Sequence, residues 1–441
     1  MENYSVDEPI YALATAYAPS ALAVVRTSGK GSIGMLAGAF SPSGRLVRAA
    51  NGTLVHGHVL DEDGTTIDEV VLSVYREGHG YTGEEAVEIS THGSLMVLRR
   101  LSARLVQLGF RPALRGEFTF RAFMHGRMDL TQAEAVEEII GSRSVKSQEK
   151  AMDRLAGQLR EAMGSIRTRL LDILASLEVQ LDYAEDEILE DWVFPEEEVD
   201  DIISSLRSLV STYDAGRIHR DGAKVVLAGK ANAGKSSLFN LLVKEDRAIV
   251  SPVPGTTRDF IETWIDLGGI PVRLYDTAGL RSSDDEVESE GIRRSASLMA
   301  QADLVVYLVD PEDDVPLDEL DETKTILVYS KSDRRRVEGA LSISSLTGEG
   351  VGDLVASIVA RLSSGTEALQ DDTPVIDSRR QRDSLIACIE ALENARASRG
   401  QSVDIMALFF QRALEEIGLI TGEVTNEELL DTLFSQFCLG K

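Results

Sequence analysis

Only two cysteines, Cys388 and Cys438, occur in 441 residues, which excludes a disulfide-stapled framework and fits a reducing compartment. Aromatic residues make up 5% and prolines number only 11, so this is neither a disordered Pro-rich chain nor a fibrous one. No apolar run is long enough to span a bilayer, and the acidic start MENYSVDEPI carries no secretory signal pattern. A cytoplasmic protein with no membrane partner is expected. Basic residues are also scarce, 45 against 73 acidic, for a net charge of −28. That excludes a general binder of phosphate backbones, so any RNA must meet a local basic patch or arrive on a partner protein. The six histidines show no metal-ligand spacing, and no internal repeat or low-complexity tract is evident. The length implies about three domains.

What the chain does contain is KVVLAGKANAGKSSLFN at 224–240. Val225 to Ala228 read as a buried parallel strand, Gly229 to Ser236 spell G-x-x-x-x-G-K-S, and Ser237 to Leu242 read as a helix. That is the strand, loop and helix of a P-loop. Gly229 and Gly234 carry no side chain, so successive N–H groups can wrap a phosphate at a helix N-terminus. Lys235 can reach the outer phosphates, and the Ser236 hydroxyl can join a Mg²⁺ shell.

Around this stretch the chain falls into three parts. Residues 1–125 look mixed α/β, with strands at 22–29, 68–76 and 84–91 and a helix at 94–110 that ends at Gly109. Residues 126–220 and 376–441 are helical and form one discontinuous domain. Thr131 and Glu134 have capping-box spacing ahead of Ala135, Ile139 and Ile140. Leucines and their like from Leu155 to Leu181 recur at threes and fours as one long amphipathic helix, and Pro195 suits an N1 position. Residues 221–363 alternate strand and helix, with strands at 272–276, 303–310, 324–330 and 340–345. The fold class is therefore multidomain α/β plus all-α, with the α/β nucleotide domain inserted into the helical one; insertion is tolerated because domain termini lie close together.

Four further segments fall where a guanine-nucleotide hydrolase would place them. GTTRD (255–259) offers Thr256 or Thr257 as a second hydroxyl for Mg²⁺. DTAG (276–279) ends a strand, with Asp276 near the metal and the Gly279 N–H near a γ-phosphate. In SKSD (330–333) the Asp333 carboxylate can accept two N–H bonds from guanine, and SSL (344–346) can present a backbone N–H to its carbonyl. Ser330 stands where such proteins usually carry asparagine, which weakens a tie to the base or the P-loop. Leu280 cannot polarise water, so a carboxylate from DDEVESEG (284–291), Glu286, Glu288 or Glu290, must do so, and Arg258 and Arg281 are candidate cationic fingers.

GKANAGKSS, PGTTRD, DTAGLR with DEVE, RGEFTFRAF with DLTQAEA (115–135) and CLGK (438–441) together resemble the MnmE (TrmE) family of tRNA-modification GTPases, across all three parts of the chain. The resemblance implies an N-terminal folate-binding-like domain, a helical domain and a Ras-like G domain, in a homodimer. It implies a K⁺-stimulated GTPase that works with an MnmG-like FAD protein, as a heterotetramer, on C5 of the wobble uridine of certain tRNAs. The one-carbon donor implied is 5-formyl- or 5,10-methylene-tetrahydrofolate, contacted by Arg26, Glu88, Arg127 and Lys441. K⁺ maps to Asn232, Ser251, Val253 and Thr256, Mg²⁺ to Ser236 and Thr257, and the water-orienting carboxylate to Glu288. The GTP-binding set is then Asn232, Ala233, Gly234, Lys235, Ser236, Ser237, Ser251, Thr256, Thr257, Asp276, Thr277, Ala278, Gly279, Lys331 and Asp333. Cys438 reads either as a nucleophile near the one-carbon donor or as a small packed residue, the second being preferred. The competing function is a non-catalytic GTPase switch in ribosome assembly, but such factors usually carry a basic RNA-binding appendage that this acidic chain lacks.

Overall fold

The computed structural model describes residue 4 and residues 6–183, 192–244, 261–277, 296–312, 320–363, 373–399 and 402–441. They divide into two compact units, Met1–Glu137 with Gly418–Lys441, and Glu138–Ile417.

In the first unit, seven strands form one sheet: β1 (Ile10–Leu13), β2 (Ser20–Ser28), β3 (Phe40–Ser41), β4 (Thr53–Leu60), β5 (Thr66–Tyr75), β6 (Ala86–Gly93) and β7 (Arg111–Pro112). Their order is β3-β4-β5-β6-β2-β1-β7, antiparallel except for the β1–β7 pair. Strand alternation sends Val25, Leu72, Val74, Val87 and Ile89 into the core. Two short helices, α1 (Ser32–Ala37) and α2 (Ser43–Arg48), and the longer α3 (Leu95–Gln107) cover that face with Ile33, Leu36, Leu46, Leu98, Leu101 and Leu105. The other face carries Arg26, and the β2–β6 register sets it opposite Glu88. Helix α4 (Glu117–Met124) and the start of α5 (Leu130–Gly141) pack with the late helix α14 (Glu427–Ser435) through Phe120, Leu130, Phe434 and Phe437.

The second unit holds α6 (Val145–Ala156), α7 (Gln158–Tyr183), α8 (Glu196–Ser211), α9 (Tyr213–Asp221), α12 (Arg379–Ala397) and most of α13 (Val403–Thr421). Its sheet has β8 (Ala223–Gly229), β9 (Ile261–Leu267), β10 (Ile270–Asp276), β11 (Leu304–Val309) and β12 (Thr325–Tyr329), flanked by α10 (Lys235–Lys244) and α11 (Val351–Ser363). The order β12-β11-β8-β10-β9 is parallel except for the edge strand β9. The central β8 is buried on both faces from Val225 to Ala228, the part whose sequence is continuously apolar. The strand order reverses at β8, so the crevice for a ligand lies beyond its carboxyl end.

The nucleotide domain leaves the helices at Gly222 and its chain returns to the helix it left. The Thr212 hydroxyl beside α9 accepts a hydrogen bond from Ile376 N at 3.1 Å, and a Cβ on Gly216 would stand 2.1 Å from the Ile376 carbonyl. Only glycine permits that approach. Asp377, fully buried, then meets Arg154 at 2.6 Å, and Arg154 also pairs with Glu138.

Several expectations shift. The capping box is Asp129–Gln132: the Asp129 carboxylate accepts from Gln132 N, and the Gln132 side-chain Oε1 accepts from Asp129 N, displacing Thr131–Glu134. Ile140 faces solvent rather than the apolar stripe. The single long helix from Leu155 is two, because Gly157 at φ 103° caps α6 with N–H bonds back to Arg154 and Asp153. Pro195 is the N-cap of α8, not its N1 residue. The strand at 340–345 reduces to one bridge between Ser342 and Tyr329. Strands β1, β3, β4, β7 and β9 lie outside the strands expected from the sequence.

Candidate functional site

The described residues of the candidate nucleotide site gather at the carboxyl ends of the second sheet: Gly229 ends β8, Asp276 ends β10, and Asp310 and Ser330 follow β11 and β12. The two glycines of the loop differ in purpose. A Cβ on Gly229 would stand 2.2 Å from the Leu308 carbonyl of β11, so this glycine lets two strands close up. Gly234, at φ 91°, faces the Ser330 side chain, with 3.9 Å between the Ser330 Cβ and a notional Cβ. Asn232 (φ 61°) and Lys331 (φ 56°) are the non-glycine residues at positive φ among the described residues. Both sit in these loops, where backbone strain concentrates around ligands.

Lys235 opens α10, and its ammonium donates to the Gly229 and Lys230 carbonyls at 2.9 and 2.7 Å. It is thus held directly over the loop whose amides would take the phosphates. Ala233 is buried and Ser236 is the second residue of α10, followed by Ser237. Asp276 is buried, and the Thr277 hydroxyl donates to the Leu227 carbonyl at 2.8 Å, tying the end of β10 to β8.

The residues expected to recognise the base also converge. The Ser344 hydroxyl, fully buried, donates to Asp333 Oδ1 at 2.6 Å and accepts from Leu346 N and Thr347 N, both at 3.3 Å. Asp333 itself is exposed, its carboxylate aimed by that bond. Lys331 pairs with Asp310, and that hydrogen bond holds the Asp310 carboxyl below its usual range. Ser330 turns its hydroxyl to the Val309 carbonyl at 3.2 Å, so it serves its own sheet. Ser251, Val253, Thr256, Thr257, Ala278, Gly279 and Glu288 lie outside the described residues, as do Arg258 and Arg281. Of the K⁺ set only Asn232 is therefore described, and of the Mg²⁺ set only Ser236.

A second cluster occupies the first unit. Arg26 Nε donates to Glu88 Oε1 at 2.8 Å, and its terminal nitrogen to the Gly440 carbonyl at 3.4 Å. Lys441 is brought to the same place: Phe118 N donates to its carbonyl at 3.2 Å, and Gly116 N to that of Cys438 at 3.4 Å. Burial, and then the Arg26 charge, push the Lys441 ammonium down. Tyr81, absent from the sequence reading, lies beneath both cations, and its phenol is pushed up by burial. Only the register and the loop 79–84 bring it there, and no periodicity marks it. Arg127 is exposed, with its stem packed at Gly83, where a Cβ would stand 3.2 Å from the Arg127 Cδ. Cys438 is exposed, which removes the packed reading, whereas Cys388 is buried and its thiol is pushed up to about 12.

A family model described as MnmE helical domain matches residues 130–438, and one described as GTP-binding protein TrmE N-terminus matches residues 9–127. Among curated proteins, the tRNA modification GTPase MnmE of Treponema denticola is 40% identical over 469 aligned residues, covering 100% of this chain and 99% of that one. The protein of the same name from Carboxydothermus hydrogenoformans is 36% identical, covering 99% of this chain and 100% of its own. That from Thermus thermophilus is 38% identical, covering 98% of this chain and 99% of its own.

Proposed function

The chain belongs to the MnmE (TrmE) family of tRNA modification GTPases, and we propose that its hydrolysis of GTP is K⁺-stimulated and drives modification at C5 of a tRNA wobble uridine. On this reading an FAD-dependent partner shares the chemistry, a tetrahydrofolate donates the carbon, and the working form is a cytoplasmic homodimer. Among the described helices none is long and apolar enough to cross a membrane.

The observation that carries the nucleotide half is the meeting of a strained P-loop, a buried Asp276 and an aimed Asp333 at one sheet edge. The P-loop amides and Lys235 bind and orient the phosphates, Asp333 selects guanine, and Thr277 keeps the end of β10 in register with the loop. Ser236 and Thr257 would hold Mg²⁺; Asn232, Ser251, Val253 and Thr256 would hold K⁺. When bound, these ions offset negative charge growing on the phosphate oxygens in the transition state. Glu288 would orient the attacking water, a role that Leu280 cannot take. In the first unit, Arg26 and Lys441 suit the carboxylates of a folate, Glu88 stands beside Arg26 as its counter-charge, and Arg127 lies at the rim.

GTP turnover of the purified chain, measured in KCl and in NaCl at equal ionic strength, should be faster in KCl; equal rates would remove the K⁺ reading. A deletion strain, examined by mass spectrometry of hydrolysed tRNA, should lack the modified wobble nucleoside. Its persistence would point to the ribosome-assembly switch instead.

A further inference from the structure

Two cations share one small space in the first unit. The Arg26 guanidinium carbon lies 5.6 Å and the Lys441 ammonium nitrogen 5.9 Å from the centroid of the Tyr81 ring. Glu88, the carboxylate facing them, is already paired with Arg26 at 2.8 Å. The Arg26 charge works against the Lys441 ammonium, and the negative face of an aromatic ring offsets part of that repulsion. We propose that Tyr81 is the positioning residue that lets Arg26 and Lys441 act together on the carboxylates of a folate, and that Thr119 fixes the Tyr81 ring. The inference rests on the folate reading above.

The ring needs fixing. Tyr81 lies in a loop where Gly78, Gly80 and Gly83 are all at positive φ, and no ladder of hydrogen bonds sets its direction. Three ties from outside the loop do. Tyr81 Oη and Thr119 Oγ1 are hydrogen-bonded at 2.9 Å. Thr82 Oγ1 and Ser28 Oγ are bonded at 2.7 Å, and the Ser28 hydroxyl donates to Glu84 at 2.7 Å. Glu84 in turn meets Arg121, which is fully buried on the same helix as Thr119. The N-terminal end of that helix, α4, also holds the tail, through the Gly116 and Phe118 amides. One helix therefore sets both the ring and the Lys441 that stands over it. Because the ring acts on the cations, its loss should be felt by a ligand's carboxylates and not by its pterin.

The test is calorimetric titration of the full chain with 5-formyltetrahydrofolate and with 5-formyl-6-methyltetrahydropterin, which keeps the pterin and carries no carboxylate. Tyr81→Leu should weaken the first by about tenfold or more and leave the second nearly unchanged. Thr119→Val and Tyr81→Phe delete the same hydrogen bond from opposite sides. Each should weaken the first ligand by about threefold, the double variant no further, and Thr119→Ser should restore it. Thr119 is fully buried, so thermal unfolding checks each protein, and Tyr81→Phe carries the comparison if the valine variant fails to fold. Tyr81→Leu binding the folate like the unaltered chain, or losing both ligands equally, would overturn the inference while the folate reading stands. An unaltered chain that binds neither ligand would end both.

Discussion

One hydroxyl, that of Ser344, reaches three partners: it donates to the Asp333 carboxylate and accepts from two amides of its own loop. The sequence shows an S-S-L tripeptide near a carboxylate but not that bond, because the two lie eleven residues apart across an irregular segment. Ser344→Ala should leave GTP hydrolysis chemistry in place yet lower guanine nucleotide affinity by about tenfold, the order expected for a hydrogen bond to a charged group. Titration with a fluorescent GDP analogue checks it; unchanged affinity would mean that Asp333 is aimed by other contacts. Ser330 is the converse case. Its departure from asparagine is plain in the sequence, but the compensation, a hydroxyl bonded to Val309, is visible only once β11 and β12 are side by side. Glu117 and Arg121 are a third. RGEFTFRAF contains them in plain view, yet charged residues are expected at the surface, and their full burial follows from pairing with each other and with Glu84 and Arg111.

At the scale of elements, β8 and its loop were readable because an apolar run, two glycines and a lysine leave few alternatives. Strand β9 was hidden. Thr263 on its core face and Trp264 on the other break its alternation, although Gly268–Gly269 before β10 mark a two-residue hairpin turn. The capping box moved because Asp129–Gln132 and Thr131–Glu134 have the same spacing, and only the backbone says which pair stands at the helix start. The β9–β10 hairpin also meets the helices. The guanidinium carbons of Arg143 and Arg273 lie over the Trp264 ring, at 4.2 and 4.7 Å from its centroid. Its ring edge fills the space beside Gly222, where a Cβ would stand 2.4 Å from Trp264 Cζ3 at φ 76°. Gly222→Ala should therefore destabilise this unit by about 1–3 kcal/mol, read as a lower urea midpoint. A midpoint within error of the parent would show that Trp264 swings aside at no cost.

For the molecule as a whole, acidity was legible at once, but the sequence could not say where charges of both signs are buried together. The junction where the nucleotide domain joins the helices gathers Glu138, Arg154, Arg220, His219 and Asp377. Burial, with Lys146, Lys150 and Arg154 nearby, pushes His219 from 6.5 down to about 4. Between those values the unfolded chain binds more protons at this position than the folded one, so stability falls as pH drops through that window. The loss amounts to about 3 kcal/mol at most. Glu138 works in the opposite sense, since burial and Asp377 push its carboxyl well up; its contribution is present at low pH and is lost as pH rises through the folded value. His219→Gln should flatten the acid side of the stability profile between pH 6.5 and 4; an unaltered slope, followed by urea unfolding at stepped pH, would place the sensitivity elsewhere. The tail around Gly440 and Lys441 bears on how the protein is made. Arg26 touches a carbonyl 414 positions further along the polypeptide, and ribosomes add about 5–20 residues each second. The early sheet thus waits roughly 20–80 s at that pace for the segment that completes the Arg26, Glu88 and Tyr81 cluster, and a nascent chain halted before that segment would hold only part of the proposed folate site.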